Sequence, residues 1–139
     1  MPVDSRIASA LQQMIDDAKK EGINLQITVG YRTYARQAVA FKNGTTDSPA
    51  GTSEHNLGLS ADIQAKEENS YNAAAFEKTK AFEWLRDNAV KYGFILRYPK
   101  DKEAVTKFTY EPWHYRYVGT EQAQKIKDSG LTLEEYLAQ

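Results

Sequence analysis

Four side chains of the kinds that bind metals and move protons lie in two short stretches of the sequence. His55 and Asp62 stand seven residues apart in the stretch SEHNLGLSAD. His114 comes much later, in the stretch EPWHYRYVG, which begins with Glu111. A catalytic zinc commonly takes three protein ligands and leaves a fourth position open. The two histidines and Asp62 would supply two nitrogens and one oxygen, which leaves Glu111 for another role.

The spacing between His55 and Asp62 limits how both could reach one metal. On a straight strand, residues seven apart face opposite sides. On a helix they would lie about 10 Å apart along the axis. Gly58 lies between them and permits a sharp bend. We therefore predict that His55 lies on a loop or turn, that Asp62 lies on the strand after it, and that His114 arrives from a separate strand.

The glutamate in the second stretch has the spacing of a catalytic base. Pro112 follows Glu111 and biases it away from helical dihedrals. This argues against a helical H-E-x-x-H arrangement and favours a turn that runs into a strand. From such a turn Glu111 could take a proton from the attacking water and pass it to a leaving amine. Spacing alone leaves the structural alternative open, because single histidines and strand aspartates more often serve packing and hydrogen bonding.

The elements that would position these residues follow from hydrophobic spacing and capping signals. A helix with apolar residues three and four apart is followed by a strand of alternating character, and a second helix starts after Thr33. The predicted helices span residues 4–21, 34–42, 73–91 and 120–128, with a last short helix capped by Thr132 and Glu135. The predicted strands span residues 23–32, 57–64 and 94–98, with strand-like segments at 108–110 and 113–118.

This mixture predicts an α+β fold: a single domain, residues 1–139, with a small, mainly antiparallel sheet flanked by helices and the zinc site on the sheet. Polar segments at 45–52, 66–72 and 100–107 are predicted as loops, turns or a flap. Arg32 falls at a strand-to-helix corner, where a guanidinium could bind a carboxylate. Its position alone favours a surface salt bridge.

The composition excludes several classes of protein. The chain has 139 residues and a net charge of -1, which gives no general attraction to nucleic acid or anionic membranes. It has no cysteine, so a metal must be bound by His, Asp or Glu. No apolar run approaches a membrane span, and no signal peptide is evident at the N-terminus. Either the protein is not exported by a conventional signal, or its leader is missing from this sequence.

The two stretches, with GYRTYARQ at residues 30–37, resemble the signature of the VanY-like zinc carboxypeptidases. The pattern is Ser-x-His-x-x-Gly-x-x-x-Asp followed by Glu-x-x-His. The group includes D-alanyl-D-alanine carboxypeptidases and dipeptidases, L,D-carboxypeptidases and L-alanyl-D-glutamate endopeptidases of bacterial and phage cell-wall metabolism. The three elements occur in the family's order and span residues 30–119. One departure is Ser60, where the family often has alanine.

The resemblance implies a role for each residue of the site. His55, Asp62 and His114 would be the zinc ligands, although nitrogen and oxygen ligands also admit cobalt or manganese. Glu111 would be the catalytic base, which argues against serine nucleophile chemistry because both histidines are then assigned. Arg32 would bind the substrate's carbonyl or carboxylate, with two candidate hydrogen-bond partners for the peptide end, Gln37 and Ser53. Ser53 could equally fix the turn before His55.

The implied function is a zinc D,D-carboxypeptidase that removes the terminal D-alanine from peptidoglycan stem peptides. Two alternative activities that use the same zinc chemistry remain open: an L,D-carboxypeptidase and an L-alanyl-D-glutamate endopeptidase. A non-catalytic wall-binding module is the alternative from another class, and Glu111 argues against it because such a module needs no base. We expect a monomer in the bacterial cell envelope or outside the cell; a cytoplasmic or phage-encoded protein is the other interpretation.

Overall fold

Four antiparallel strands form the sheet in the computed structural model, which describes residues 3–68 and 72–139. Their order across the sheet is β1-β2-β4-β3, so β4 lies between β2 and β3. The strands are β1 (Leu25–Val29), β2 (Ser60–Ala65), β3 (Phe94–Leu96) and β4 (His114–Tyr117). The antiparallel sheet with surrounding helices confirms the predicted α+β class.

Seven α-helices make up about half of the remaining described chain. They are α1 (Ser5–Lys20), α2 (Tyr34–Lys42), α3 (Ala73–Phe76), α4 (Lys80–Asn88), α5 (Glu103–Thr106), α6 (Thr120–Ser129) and α7 (Leu133–Leu137). Two 3₁₀ turns lie at Glu54–Leu57 and Ala89–Tyr92. None of the helices in residues 3–68 and 72–139 combines the length and the apolar character that crossing a membrane requires.

The N-terminal helix α1 forms because its sequence has a cap and one apolar face. Asp4 accepts a hydrogen bond from the Arg6 backbone, which satisfies a free amide at the helix start. The buried residues recur at helical spacing and lie against the sheet. They are Ile7, Leu11, Met14 and Ala18.

The sheet separates the hydrophobic core from a polar face. Ala61 and Ile63 of β2 are fully buried and pack in the same cluster as α1 and α4. Asp62 lies between them in sequence and therefore points to the opposite face. It is directly paired with His114 of β4 in the strand register. The alternation of β2 thus leaves the Asp62 side chain on the polar face of a strand whose other face is packed into the core.

The predicted helix over residues 73–91 is interrupted in the structure. Helix α3 ends at Phe76, and Thr79 caps α4 by accepting a hydrogen bond from the Phe82 backbone. Phe76 and Ala81 are both fully buried although they are five residues apart. On one continuous helix they would point in directions about 140° apart. The break lets both side chains reach the core.

Three other predicted elements differ from the observed ones. The second strand begins at Ser60 rather than residue 57, because the chain first completes a 3₁₀ turn and bends at Gly58. Residues 108–110 are not a strand: Phe108 packs its ring on Tyr98, at 4.7 Å between centroids. Residues 100–107 contain the short helix α5 rather than turns alone. Part of the predicted loop at 66–72 lies outside the described residues.

Candidate metal centre and active site

Three side chains that could hold a metal ion converge on one point at the polar face of the sheet. The Nε2 atom of His55 lies 3.2 Å from Oδ1 of Asp62, and Nδ1 of His114 lies 3.0 Å from the same oxygen. The candidate ligand atoms all lie within 4.8 Å of one another. Both histidines are buried, at 5% and 3% exposure. Residues more than fifty positions apart are thus brought to within coordination distance of a shared centre.

His55 lies on a 3₁₀ turn whose two ends are fixed by its neighbours. Ser53 caps the turn by accepting a hydrogen bond of 3.2 Å from the His55 backbone. Gly58 closes the turn with φ of 74°, in the left-handed region that favours glycine. The chain then enters β2, which carries Asp62. The structure therefore confirms the predicted sequence of turn, glycine bend and strand.

The corner between β1 and α2 holds the His55 ring from outside. The backbone carbonyl of Gly30 lies 2.9 Å from Nδ1 of His55. A carbonyl can only accept, so His55 donates through Nδ1 and turns Nε2 towards Asp62. The Arg32 amide donates to the His55 carbonyl at 2.9 Å, and Asn56 donates to the Arg32 carbonyl at 2.6 Å. These bonds bind the corner to the His55 turn.

His114 reaches the same centre from β4 with its other nitrogen. Its Nδ1 faces Asp62, while its Nε2 lies 3.2 Å from Oε2 of Glu54. The ring of Tyr98 stacks on the His114 ring, with centroids 4.9 Å apart. The two histidine rings meet edge to face, at 85° between their planes. Each ring is therefore held on the side away from the shared centre.

Glu111 lies beside this centre on a turn that leads into β4. The His114 amide donates to the Glu111 carbonyl at 3.1 Å, and the Glu111 amide donates to the Tyr98 carbonyl at 3.1 Å. Oε2 of Glu111 lies 3.6 Å from Nδ1 of His114. Its side chain remains 24% exposed, so water or a substrate can reach it. The predicted turn into a strand is confirmed.

The surroundings shift the pKa values of the buried carboxyls and of His114. Burial raises the pKa of Glu111 to about 7, and a bound dication beside it would lower that value. For Asp62, burial is outweighed by hydrogen bonds from His114 and His55, which hold its pKa well below the ordinary range. For His114, burial lowers the pKa, but hydrogen bonds to Asp62 and Glu54 outweigh it and raise the pKa to about 9.

The donor set fits a divalent metal that prefers nitrogen and oxygen ligands. His55 donates its Nδ1 proton to the Gly30 carbonyl and so presents a lone pair at Nε2 to the Asp62 carboxylate. His114 donates its Nε2 proton to the Glu54 carboxylate and presents Nδ1 to the same Asp62 oxygen. Electron-rich atoms so close together need a cation between them, either a proton or a metal. Two imidazoles and one carboxylate are a common zinc set with an open position.

A cavity of about 100 Å³ opens directly over these ligands. Its walls are polar and include Arg32, Glu111 and the loop between α2 and the His55 turn. The remaining lining residues are Thr45, Thr46, Ser48, Ser53, His55, Asp62, Tyr98, Trp113 and His114. A polar cavity that joins a candidate metal centre, a carboxyl group and a guanidinium can accommodate the end of a peptide.

The sequence matches the VanY family, described as D-alanyl-D-alanine carboxypeptidase, over residues 1–120. The chain belongs to the VanY family. It is 48% identical over 139 residues to the putative carboxypeptidase YodJ of Bacillus subtilis (strain 168), an alignment that covers 93% of this chain and 51% of YodJ. It is 39% identical to a D-alanyl-D-alanine carboxypeptidase of Enterococcus faecium, over 97% of this chain and 44% of that protein. The chain thus spans about half the length of these curated relatives.

Solved structures of this family share the fold. The LdcB LD-carboxypeptidase superposes with a TM-score of 0.87 at 45% identity, over 98% of this chain and 68% of LdcB. A mutant of the vancomycin resistance D,D-pentapeptidase VanY in complex with Zn(II) gives a TM-score of 0.80 at 38% identity, over 97% of this chain and 83% of that one. VanYB in complex with D-alanine-D-alanine gives 0.81 at 37% identity, over 98% and 82%.

Within this VanY-family site, Gln37 lies behind Arg32 rather than in the cavity. It is fully buried, and its amide oxygen accepts a 2.7 Å hydrogen bond from Nη1 of Arg32. Its amide nitrogen donates to the Ser48 carbonyl at 2.6 Å. The sequence suggested that Gln37 contacts the peptide end. The observed geometry favours a different role, in which Gln37 orients the Arg32 guanidinium.

Two other residues have a structural role and also line the cavity. Ser53 caps the His55 turn and also lines the cavity, so turn formation and substrate contact are compatible. Trp113 lines the cavity and packs its ring against Phe76 of the core, with centroids 6.3 Å apart.

Two residues outside the predicted site contact His114. Tyr98 follows β3 and packs on the ring face, and Glu54 bonds the outer nitrogen. Glu54 precedes His55 directly, and nothing in its residue type distinguishes a buried glutamate from a surface one. Its location became evident only from the strand pairing, which places His114 of β4 beside the His55 turn.

Proposed function

We propose that this chain is a zinc D,D-carboxypeptidase that removes the terminal D-alanine from peptidoglycan stem peptides. The observation that carries the proposal is the convergence of His55, Asp62 and His114 beside the Glu111 carboxylate, at the base of a polar cavity. The family's description and the D-alanine-D-alanine complex of VanYB support this choice of substrate.

We assign the metal to His55 Nε2, Asp62 Oδ1 and His114 Nδ1. When bound there, zinc supplies a Lewis acid that acidifies water and polarises a carbonyl oxygen. The Zn(II) complex of a VanY structure and the fit of the donor set support zinc. In this arrangement Gly30 and Glu54 keep the outer histidine nitrogens protonated, so that the inner nitrogens remain free.

Glu111 is the proton carrier in the proposed reaction. Its carboxylate accepts a proton from the attacking water and then donates it to the amine of the departing D-alanine. A side chain that is partly exposed to the cavity and close to His114 can reach both partners without ligating the metal. The turn that holds its backbone to Tyr98 and His114 keeps the carboxyl group in place during both transfers.

Arg32 is the proposed contact for the negative charge of the substrate. It is partly buried in the cavity wall, where a guanidinium can bind the terminal carboxylate or the oxyanion that develops at the scissile carbonyl. Its hydrogen bond to Gln37 restricts the orientation of the guanidinium before substrate arrives. Ser53, at the cavity wall, is a further candidate partner for the peptide end.

An L,D-carboxypeptidase is the second candidate, supported by the fold and sequence likeness to LdcB. The two reactions differ in the residue before the scissile bond. A D,D-enzyme cleaves a pentapeptide stem that ends in D-Ala-D-Ala, whereas an L,D-enzyme cleaves the tetrapeptide that remains. The same metal centre and base would serve both reactions, so the distinction lies in how the cavity accepts the preceding residue.

The test is to incubate the zinc-loaded protein with each stem separately and follow the products by mass spectrometry. Loss of one alanine from the pentapeptide, with slow or no cleavage of the tetrapeptide, is the expected result. Preferential cleavage of the tetrapeptide would replace the D,D assignment by the L,D one. Absence of cleavage of both stems by protein that carries stoichiometric zinc would favour the wall-binding module.

We further propose that residues 1–139 form one peptidase domain and that it acts as a monomer in the bacterial envelope or outside the cell. The family of bacterial relatives with wall-peptide names supports an envelope location. Size-exclusion chromatography with light scattering tests the monomer, and a mass near twice that of the chain would contradict it.

A further inference from the structure

Glu54 is a buried carboxylate that takes no part in the reaction proposed above. It does not line the cavity, and its side chain is only 10% exposed. Oε2 accepts from Ser60 at 3.0 Å and faces His114 at 3.2 Å. Oε1 accepts from Arg97 at 2.6 Å and from Arg116 at 2.9 Å. A carboxylate with both oxygens occupied and no access to the cavity can act only through its neighbours.

The neighbour that connects Glu54 to the chemistry is His114. An ionised carboxylate can only accept a hydrogen bond, so Nε2 of His114 must donate, and Nδ1 is the nitrogen left for the metal. His55 presents its Nε2 instead, with Gly30 as its outer acceptor. A charged acceptor holds the ring more strongly than a backbone carbonyl and increases the basicity of the ligating nitrogen.

The charge of Glu54 is balanced by groups that extend to the C-terminal helix. Nη1 of Arg97 lies 2.5 Å from Oε1 of Glu134 on α7, and the same guanidinium binds Glu54 through Nε. The two carboxylates face two guanidinium groups, those of Arg97 and Arg116, so this cluster carries no net charge. Glu54 can therefore stay ionised in a buried position.

The link reaches a part of the chain that lies beyond residue 120, where the match to the family ends. Helix α7 is held in place independently by a capping box between Thr132 and Glu135 and by an ion pair of 3.0 Å between Lys102 and Glu135. Glu134 thus projects towards Arg97 from a fixed helix. Two consecutive ion pairs, from Glu134 to Arg97 and from Arg97 to Glu54, and one hydrogen bond from His114 to Glu54 connect this helix to the ring of a candidate metal ligand.

We propose that Glu54 is a positioning residue that fixes His114 as an Nδ1 ligand, and that Arg97, itself paired with Glu134 of the C-terminal helix, holds Glu54 in place. The inference rests on the proposed zinc site of His55, Asp62 and His114. It predicts that zinc affinity depends on residues that neither ligate the metal nor contact the substrate.

The test measures zinc dissociation constants by competition with a chromophoric chelator. Glu54→Gln keeps the shape of the side chain but removes its charge, and we expect it to weaken zinc binding roughly 10- to 100-fold. The visible absorption spectrum of the cobalt-substituted protein should change as well, because the His114 ring is no longer held in one orientation. A dissociation constant within twofold of the unsubstituted protein, with an unchanged cobalt spectrum, would overturn the proposal.

A distal pair of variants keeps the test decisive if Glu54→Gln fails to fold. Glu134→Gln should weaken zinc binding about threefold, the scale of a partly exposed ion pair. Glu121→Gln is the control: it removes the same charge from α6, where Glu121 is exposed and pairs with Lys125, and it leaves the contacts of α7 intact. Equal affinities in these two variants would show that Glu134 does not support the site.

The outcomes separate this inference from the proposed function. If the unsubstituted protein binds no zinc, the metal assignment fails, and the role of Glu54 fails with it. If the protein binds zinc but cleaves neither stem peptide, the proposed activity fails while the affinity measurements still test Glu54. If it binds and cleaves, yet Glu54→Gln binds zinc equally well, only the positioning role is lost.

Discussion

At the scale of single residues, the atoms that face the shared centre differ in role from the atoms that face away and orient the side chains. Each histidine uses one nitrogen inward and one outward, and the outward acceptors differ: a carbonyl for His55 and a carboxylate for His114. Within residues 3–68 and 72–139, the Glu111 carboxyl group has no outward hydrogen bond of this kind, and it remains open to the cavity. This difference supports the proposed role of Glu111 as a proton carrier rather than a metal ligand.

Replacing the proposed base should slow turnover sharply while leaving the metal in place. Glu111→Gln retains the size of the side chain but cannot accept the proton of the attacking water, so kcat should fall by roughly 10²- to 10⁴-fold. Zinc content, measured by elemental analysis, should be unchanged because Glu111 is not a proposed ligand. Glu121→Gln, on the exposed surface of α6, is the control. Unchanged release of D-alanine by the zinc-loaded variant would exclude Glu111 from the mechanism.

Removing the support behind Arg32 should weaken catalysis without removing the guanidinium itself. Gln37→Leu fills the same buried space but breaks the hydrogen bonds to Arg32 and to the Ser48 carbonyl. One lost hydrogen bond to a charged group corresponds to a fall in kcat/KM of about tenfold or more.

The steady-state rates of Gln37→Leu and Gln26→Leu give the comparison, because Gln26 is exposed on β1. Zinc affinity should be unaffected in both variants. Equal kcat/KM values would indicate that Arg32 needs no orientation by Gln37.

At the scale of elements, the parts that sequence predicts best are those governed by local rules. The cap of α2 at Thr33 and the capping box at Thr132 and Glu135 appear as predicted, because each depends on residues within one helical turn. The break between α3 and α4 was missed because the burial of Phe76 and Ala81 is decided by tertiary packing. Local apolar spacing alone could not separate one bent helix from two.

The candidate site also contains some residues that local sequence predicts and others whose roles depend on tertiary packing. Its inward-facing residues are recognisable from type and spacing, and the bend at Gly58 follows from the need to bring His55 and Asp62 together. Glu54 and Gln37 act through contacts that depend on which strands pair and which loops close over them. Their roles were therefore not readable from the chain.

The glycine bend gives a prediction at this scale. Alanine at Gly58 would have φ of 74° and would place its Cβ 3.2 Å from the Cβ of Asp4 and 3.3 Å from the Asp4 amide. Gly44 has a similar φ of 71°. A Cβ added there would meet no heavy atom within 4 Å in the described part of the chain, apart from its own chain neighbours. Gly44→Ala should cost about 1 kcal/mol from backbone conformation alone. Gly58→Ala should cost roughly 1 kcal/mol more, because the start of α1 must move.

Urea unfolding of the two variants measures this difference directly. Zinc affinity should fall in Gly58→Ala, since the bend positions the His55 turn, and should stay constant in Gly44→Ala. Equal losses of stability would mean that the close approach to Asp4 relaxes without cost.

At the scale of the whole molecule, the candidate site joins segments that are far apart in the chain. The corner after β1, the His55 turn, β2 and β4 each contribute one or more contacts to the centre. The hydrophobic core lies on the other face of the sheet and holds β2 through Ala61 and Ile63. The core therefore stabilises one face of the sheet, and a bound metal ion would link β2, β4 and the His55 turn on the other face.

Metal binding should accordingly stabilise the fold as a whole. The unfolded chain has no assembled site, so free zinc at 100 times its dissociation constant should add about 2.7 kcal/mol to the free energy of unfolding. Thermal unfolding of the metal-free and zinc-loaded protein measures the shift. Magnesium is the control cation, because it prefers oxygen ligands and should shift the transition little. The variant His114→Ala should show no zinc-dependent shift, since it lacks one of the three ligands. An equal response to zinc in His114→Ala would place the stabilising metal elsewhere in the protein.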